Sequence, residues 1–203
     1  MSLPTIFSPY MLRAISYLLI LGGLVIAGFG VYSVRSTYHA EQVAQAEWDR
    51  QMADRASDRP SAPEIRREVQ KGEMLARLSI DRLKSQWVVL EGADHEVLKR
   101  GPGHLPDTAL PGARGNSVIA GHRDTQFRVL RNVEIGEEIS VETEGRTYVY
   151  RVTDRRVVAP TDTSSLNRTA TPTLTLVTCY PFYYVGPAPK RFIVRAELVS
   201  SKA

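Results

Sequence analysis

The longest uninterrupted apolar run, ISYLLILGGLVIAGFGVYSV, extends from Ile15 to Val34 without a charge and is bracketed by Arg13 and Arg35. At helical rise, about 20 residues span about 30 Å, the thickness of a bilayer's hydrocarbon core. The apolar part of a cleaved leader is shorter, about 7–15 residues, and no small-x-small cleavage site follows this one. The run therefore predicts an uncleaved signal anchor spanning residues 15–34. Residues 1–14 are expected to be a cytoplasmic N-terminus, because Arg13 and the α-amino group face no acidic residue there.

Residues 35–72 change character and predict a stem. Tyr38–Ala56 is rich in Ala, Gln, Glu and other charged residues, with weak apolar periodicity, as in a solvated helix. SDRPSAP (Ser57–Pro63) interrupts it, and Glu64–Gly72 reads as a short polar helix closed by glycine. The expected role is a spacer between membrane and domain.

From Glu73 the apolar positions alternate in short runs separated by Gly, Pro, Asp and Asn. The predicted strands are Leu75–Ile80, Trp87–Leu90, Asn116–Ala120, Glu138–Glu142, Thr147–Thr153, Arg156–Ala159, Leu174–Thr178 and Phe192–Val199. TEGRT (Thr143–Thr147) is a turn between two of them. Eight short strands with little helix predict an all-β domain over residues 73–203, a closed barrel or a sandwich.

Composition narrows the function classes. Hydrophobic residues make up 43% and charged residues 24% of the 203, which fits a folded domain. The net charge of +4 comes without dense Lys/Arg runs, so a nucleic-acid surface is not expected. One cysteine rules out an intramolecular disulfide framework and a cysteine-rich zinc site. By residue type alone, a lone cysteine is a small buried hydrophobe.

Its context argues otherwise. Cys179 ends the strand-like run TLTLVT, and His122 follows the strand-like run NSVIAG. Reactive groups at strand ends of a rigid sheet can be held face to face, and a thiol nucleophile needs a base or a cationic neighbour. The other histidines have weaker settings: His39 in the stem, His95 in a charged turn and His104 in an irregular loop. Arg191 opens the strand after the aromatic loop that follows Cys179, where its guanidinium could stabilise a developing oxyanion. Arg195, four residues on, shares its face and competes for that role.

VIAGHRD, followed 57 residues later by TLVTCYP and closed by KRFIVRAEL, resembles a sortase. The family's motifs match His122, Thr175-Leu176-Val177-Thr178-Cys179 and Arg191, and the resemblance extends over Leu75–Leu198. Within the family, TCYPFYYVG is most similar to class D enzymes. The resemblance implies an eight-stranded sortase-type β-barrel with short helices, anchored in the cell membrane and extracytoplasmic. It implies a cysteine transpeptidase with catalytic Cys179, His122 and Arg191, and with Thr178, Val177 and Ala159 contacting substrate.

The implied reaction joins a protein bearing a C-terminal LPxT-type signal to an amine acceptor, of the cell envelope or a protein lysine, through a thioacyl intermediate. No cofactor is implied, and no acidic cluster of the calcium-binding kind is visible. The alternative is a membrane-tethered β-barrel binding module with an inactive site. The segment LPDTA (Leu105–Ala109) itself has the form of a sorting signal. It reads equally as a Pro- and Gly-shaped loop leading into the His122 strand.

Overall fold

The structure is a computed structural model that describes residues 9–57, 69–184 and 186–202. Contacts divide the chain into two units, Met1–His39 and Ala40–Ala203. In the first, the described residues belong to helix α1 (Pro9–Ser57), whose stretch Ile15–Tyr32 is long and apolar enough to cross a membrane. The apolar side chains there, Leu18 and Phe29 among them, are exposed, as a lipid-facing surface requires.

The second unit is a closed β-barrel. Its strands are β1 (Met74–Ile80), β2 (Ser85–Glu91), β3 (Gly103–His104), β4 (Asn116–Ala120), β5 (Glu138–Thr143), β6 (Arg146–Val158), β7 (Thr173–Tyr180) and β8 (Lys190–Lys202). They are ordered β1-β2-β3-β4-β7-β8-β6-β5, and β5 closes onto β1. The β2–β3 and β4–β7 pairs are parallel, and the other neighbouring pairs are antiparallel. Inward positions such as Leu78, Ile119, Val141, Tyr150, Leu174 and Leu176 fill the interior, with Phe127 and Leu130 of the 3-10 segment Gln126–Asn132. A filled interior with alternating inside and outside residues is what an eight-stranded barrel of this size needs.

The expectation of eight strands holds in number but not in detail. The predicted break between Thr153 and Arg156 is absent, and β6 runs unbroken for 13 residues. The polar pair Asp154-Arg155 suggested a break between two strands, yet β8 pairs along it, and a bulge between Val152 and Asp154 absorbs the change of phase. Conversely β3, two residues long, is too short to show any periodicity and went unpredicted.

The stem also differs. Tyr38–Ala56 is helical, but Trp48 is only 2% exposed, packed against Val88, Leu90 and Val97. Arg77 of β1 lies over the Trp48 ring at 5.8 Å and pairs with Asp49. This part of the helix therefore docks on the barrel through Trp48, with Ala44 and Met52 on the same helical face, rather than remaining wholly solvated. Of the predicted helix Glu64–Gly72, residues 64–68 lie outside the described residues, and Val69–Gly72 is an irregular turn. Gly72 takes φ 81° there, which a side chain would disfavour.

Candidate active site

The parallel β4–β7 pair sets the site. Ala120 lies beside Val177 in register, and His122 and Cys179 each come two residues later. Parallel strands end at the same edge, so the histidine and the thiol emerge at one level of the barrel. On the other side of β7, the antiparallel register sets Cys179 opposite Arg191. Directly opposed residues carry their Cβ atoms about 4.5–5.5 Å apart on one face. Arg195 falls opposite Thr175, four residues down the strand or about 13 Å away, so Arg191 is the arginine beside the thiol.

Strand alternation places these groups outside the barrel. Leu174, Leu176 and Thr178 face inward, and Thr175, Val177 and Cys179 face outward. Counting back from the thiol, the first rung is Cys179–Arg191 and the second is Ala120–Val177–Ile193. Cys179, Val177 and Ala120 are half-buried, and together they form an open apolar floor behind the thiol. Ala159 is exposed just beyond the end of β6, whose Val158 pairs with Arg191.

The backbone on either side of the reactive groups is held at short range. Gly121 N donates to the Val177 carbonyl at 3.1 Å, and the Thr178 hydroxyl donates to the Gly121 carbonyl at 2.7 Å. Thr178 is 3% exposed, and its hydroxyl is committed to the Gly121 carbonyl. It faces the interior and ties the residue before the histidine to the residue before the cysteine. His122 itself is fixed at both peptide groups. Its N–H donates to Gln126 Oε1 at 3.2 Å, and its carbonyl accepts from Phe127 N–H at 2.9 Å. Thr125 donates to the same Gln126 oxygen at 2.8 Å, and Gln126 is 2% exposed.

Arg191 turns one nitrogen onto its own connection, Nη1 donating to the Lys190 carbonyl at 3.0 Å and the Ala188 carbonyl at 3.3 Å. The rest of the guanidinium has no partner among the described residues, which leaves donors for an oxyanion or a substrate carbonyl. The aromatic connection between β7 and β8 is pinned in turn. Tyr180, Phe182 and Phe192 stack edge-on and face-on with centroids 5.3–6.3 Å apart. Arg123, next to His122, donates to the carbonyls of Tyr184 and Gly186 at 2.6 and 3.0 Å. Arg131 lies over the Tyr183 ring at 5.1 Å. The segment after the histidine and the segment after the cysteine thus brace each other.

The arrangement gathers a thiol, an imidazole and a guanidinium around half-buried Val177 and Ala120, groups of the kinds that acyl transfer through a tetrahedral oxyanion uses. Among the described residues no group of three or more His, Cys, Asp or Glu side chains could hold a metal ion. The LPDTA segment is not presented as a substrate. Thr108 N and its hydroxyl both bond the Leu105 carbonyl, and Ala109 N bonds Asn116, so the segment is a closed turn rather than an extended strand. His104 braces it, with Nδ1 2.8 Å from Glu91 and Nε2 3.0 Å from the Ala109 carbonyl.

Gly121, Gln126 and Asn116 were not singled out from the sequence. Their only sequence signals are a glycine ahead of the histidine and polar residues beside apolar runs.

Comparison with known proteins completes the picture. The family described as Sortase domain matches residues 78–199. Sortase D of Bacillus subtilis (strain 168) is 30% identical over 204 residues, covering 94% of this chain and 100% of that protein. Among solved structures, a Clostridium perfringens Sortase D5 transpeptidase matches with TM-score 0.62 at 26% identity, covering 80% of this chain and 97% of that one. The catalytic domain of B. anthracis SrtD matches with TM-score 0.58 at 35% identity, covering 70% and 98%.

Proposed function

The chain belongs to the sortase family of cysteine transpeptidases, and from that premise we propose a class D-like sortase that acts on proteins ending in an LPxT-type signal. Cys179 is the nucleophile, His122 the proton carrier and Arg191 the oxyanion partner. Residues 15–34 anchor the chain in the cell membrane in a single pass, with the N-terminus inside and residues 73–203 as the catalytic domain outside. The stem, residues 35–72, joins the two.

In the first step Cys179 Sγ adds to the carbonyl carbon of the signal's threonine. The oxygen takes up negative charge, and the donors of Arg191 stabilise it. His122 passes the thiol proton to the leaving nitrogen, the C–N bond breaks and a thioester remains on sulfur. In the second step an acceptor amine adds to the thioester carbon. Its proton returns through His122 to sulfur, the C–S bond breaks and a new amide leaves. Every atom comes from enzyme, signal or amine, and no redox partner is needed.

The observation that supports this most is the register. His122 and Cys179 stand equal distances beyond the paired residues Ala120 and Val177, and Arg191 faces Cys179 across the next ladder. Val177 and Ala159 are proposed to contact the apolar part of the signal from the floor and from the end of β6.

The test is turnover by the full-length chain in detergent, with peptides carrying LPxTG or LPxTA and an added amine. Product amide should form with the wild type and drop at least a hundredfold in Cys179→Ala and His122→Ala. Variants that keep wild-type turnover overturn the assignment.

A further inference from the structure

Asn116 opens β4 and is 2% exposed, and its side-chain amide is engaged at both ends. Nδ2 donates to the Ser165 carbonyl at 2.9 Å and to the Asn167 carbonyl at 3.1 Å. Oδ1 accepts from the Thr175 hydroxyl at 2.7 Å. The partners fix which way the amide faces, because a flip would set its oxygen against two carbonyl oxygens.

The two carbonyls lie within or just beyond the 3-10 turn Ser164–Leu166, in the connection from β6 to β7. That connection covers the outer faces of β4 and β7. Thr173 and Thr175 point away from the barrel interior, yet they are 3% and 0% exposed. Two arginines add to the hold from the rim. Arg156 Nη2 donates to Ser165 Oγ at 3.1 Å, and Arg114 Nε donates to the Ala170 carbonyl at 2.9 Å. Asn116 is the buried one of the three, and its bonds are the ones shielded from water.

We infer that Asn116 is a positioning residue that holds the β6–β7 connection in place as a preformed wall of the groove leading to Cys179. The inference rests on the reading above, in which the signal lies on the floor of Ala120 and Val177 beside the end of β6. The groove is the space between that floor and the β6–β7 connection. A free connection of this length would have to be ordered each time a signal bound, and that cost would appear in affinity. The tether removes it beforehand. Asn116 touches neither thiol nor histidine, since it begins β4 and His122 lies beyond the strand's other end. Its loss therefore acts on binding rather than on chemistry.

The test compares the wild-type full-length chain with Asn116→Asp, which keeps the acceptor for Thr175 but sets an oxygen against the two carbonyls. KM for a sorting-signal peptide should rise about tenfold with kcat within twofold. The rate of Cys179 alkylation by iodoacetamide, which needs no groove, should stay unchanged. In the wild type the Leu166 and Asn167 amides, bonded to the Thr163 and Ser164 carbonyls, should exchange slowly with deuterium, and in the variant fast.

An unchanged KM, or kcat falling together with the alkylation rate, overturns the inference. So does fast exchange at Leu166 and Asn167 in the wild type, a measurement that needs no variant to fold. If the wild type fails to turn over any signal peptide, the sortase reading fails instead, and hydrogen exchange still decides the tether.

Discussion

The Thr178 hydroxyl donates to the Gly121 carbonyl at 2.7 Å, joining the residue that precedes Cys179 to the residue that precedes His122. Because the bond is buried, it is shielded from exchange with water. It fixes the separation of the two strand ends that lead to His122 and Cys179. Thr178→Val keeps the volume and removes the bond. kcat should fall about tenfold or more with little change in KM, and Thr178→Ser should restore most of it. A rise in KM alone would mean that Thr178 acts by contacting substrate.

Gly121 has no room for a side chain. A Cβ there would lie 2.8 Å from the Phe127 ring, which is fully buried in the barrel. Gly121→Ala forces either Phe127 out of the core or His122 out of line, and overpacking of this kind costs about 1–3 kcal/mol. Both Tm and kcat should drop. Phe127→Leu in the same chain should recover kcat better than Tm, because it relieves the clash but shrinks the core. Additive losses in the double variant would exclude the clash as the cause.

Arg191 is expected to matter for its fork of donors as well as its charge. Arg191→Ala should lower kcat about 10²–10³-fold, as loss of an oxyanion partner does elsewhere. Arg191→Lys should recover only a small part, since an ammonium cannot both keep the backbone bonds and reach an oxyanion. Iodoacetamide should still label Cys179 in both variants. Full activity in Arg191→Lys would reduce the role to a bare positive charge.

Tyr150 provides a pH signature for the barrel itself. Its ring is fully buried, its hydroxyl accepts from Gly112 N–H at 2.6 Å, and burial holds its pKa up at about 12. An unfolded tyrosine titrates near 10. The raised folded value means that the neutral form is favoured in the native state. That contribution is complete below about pH 10 and is lost as pH rises through about 12, to a total of about 3 kcal/mol. Urea unfolding from pH 9 to 12 should show this loss in the wild type, and a shallower one in Tyr150→Phe. Parallel profiles would mean that another group causes the alkaline instability.

Much of the site was legible in the sequence because it obeys strand periodicity. TLTLVTC and NSVIAGH each show an apolar run ending in a reactive side chain, and parallel pairing of the two runs brings those ends together. What the sequence concealed depends on neighbours far along the chain. The Thr178 bond to Gly121 was not legible, because its partner lies 57 residues away. Asn116 resembled an ordinary polar strand start, although its partners are 49 and 51 residues distant. Asp154-Arg155 resembled a break between strands because the β8 strand that pairs with it is not visible in local polarity. Trp48 sat in a stretch of weak periodicity, since only a narrow face, Ala44, Trp48 and Met52, packs on the barrel.

The central claim, acyl transfer through Cys179, is tested most directly by intact-mass spectrometry of the full-length chain after brief incubation with an LPxTA peptide and no amine. The account predicts a mass increase equal to the peptide up to and including its threonine, mapped to Cys179 and discharged when an amine is added. An adduct absent from Cys179, or equally present in Cys179→Ala, would contradict it.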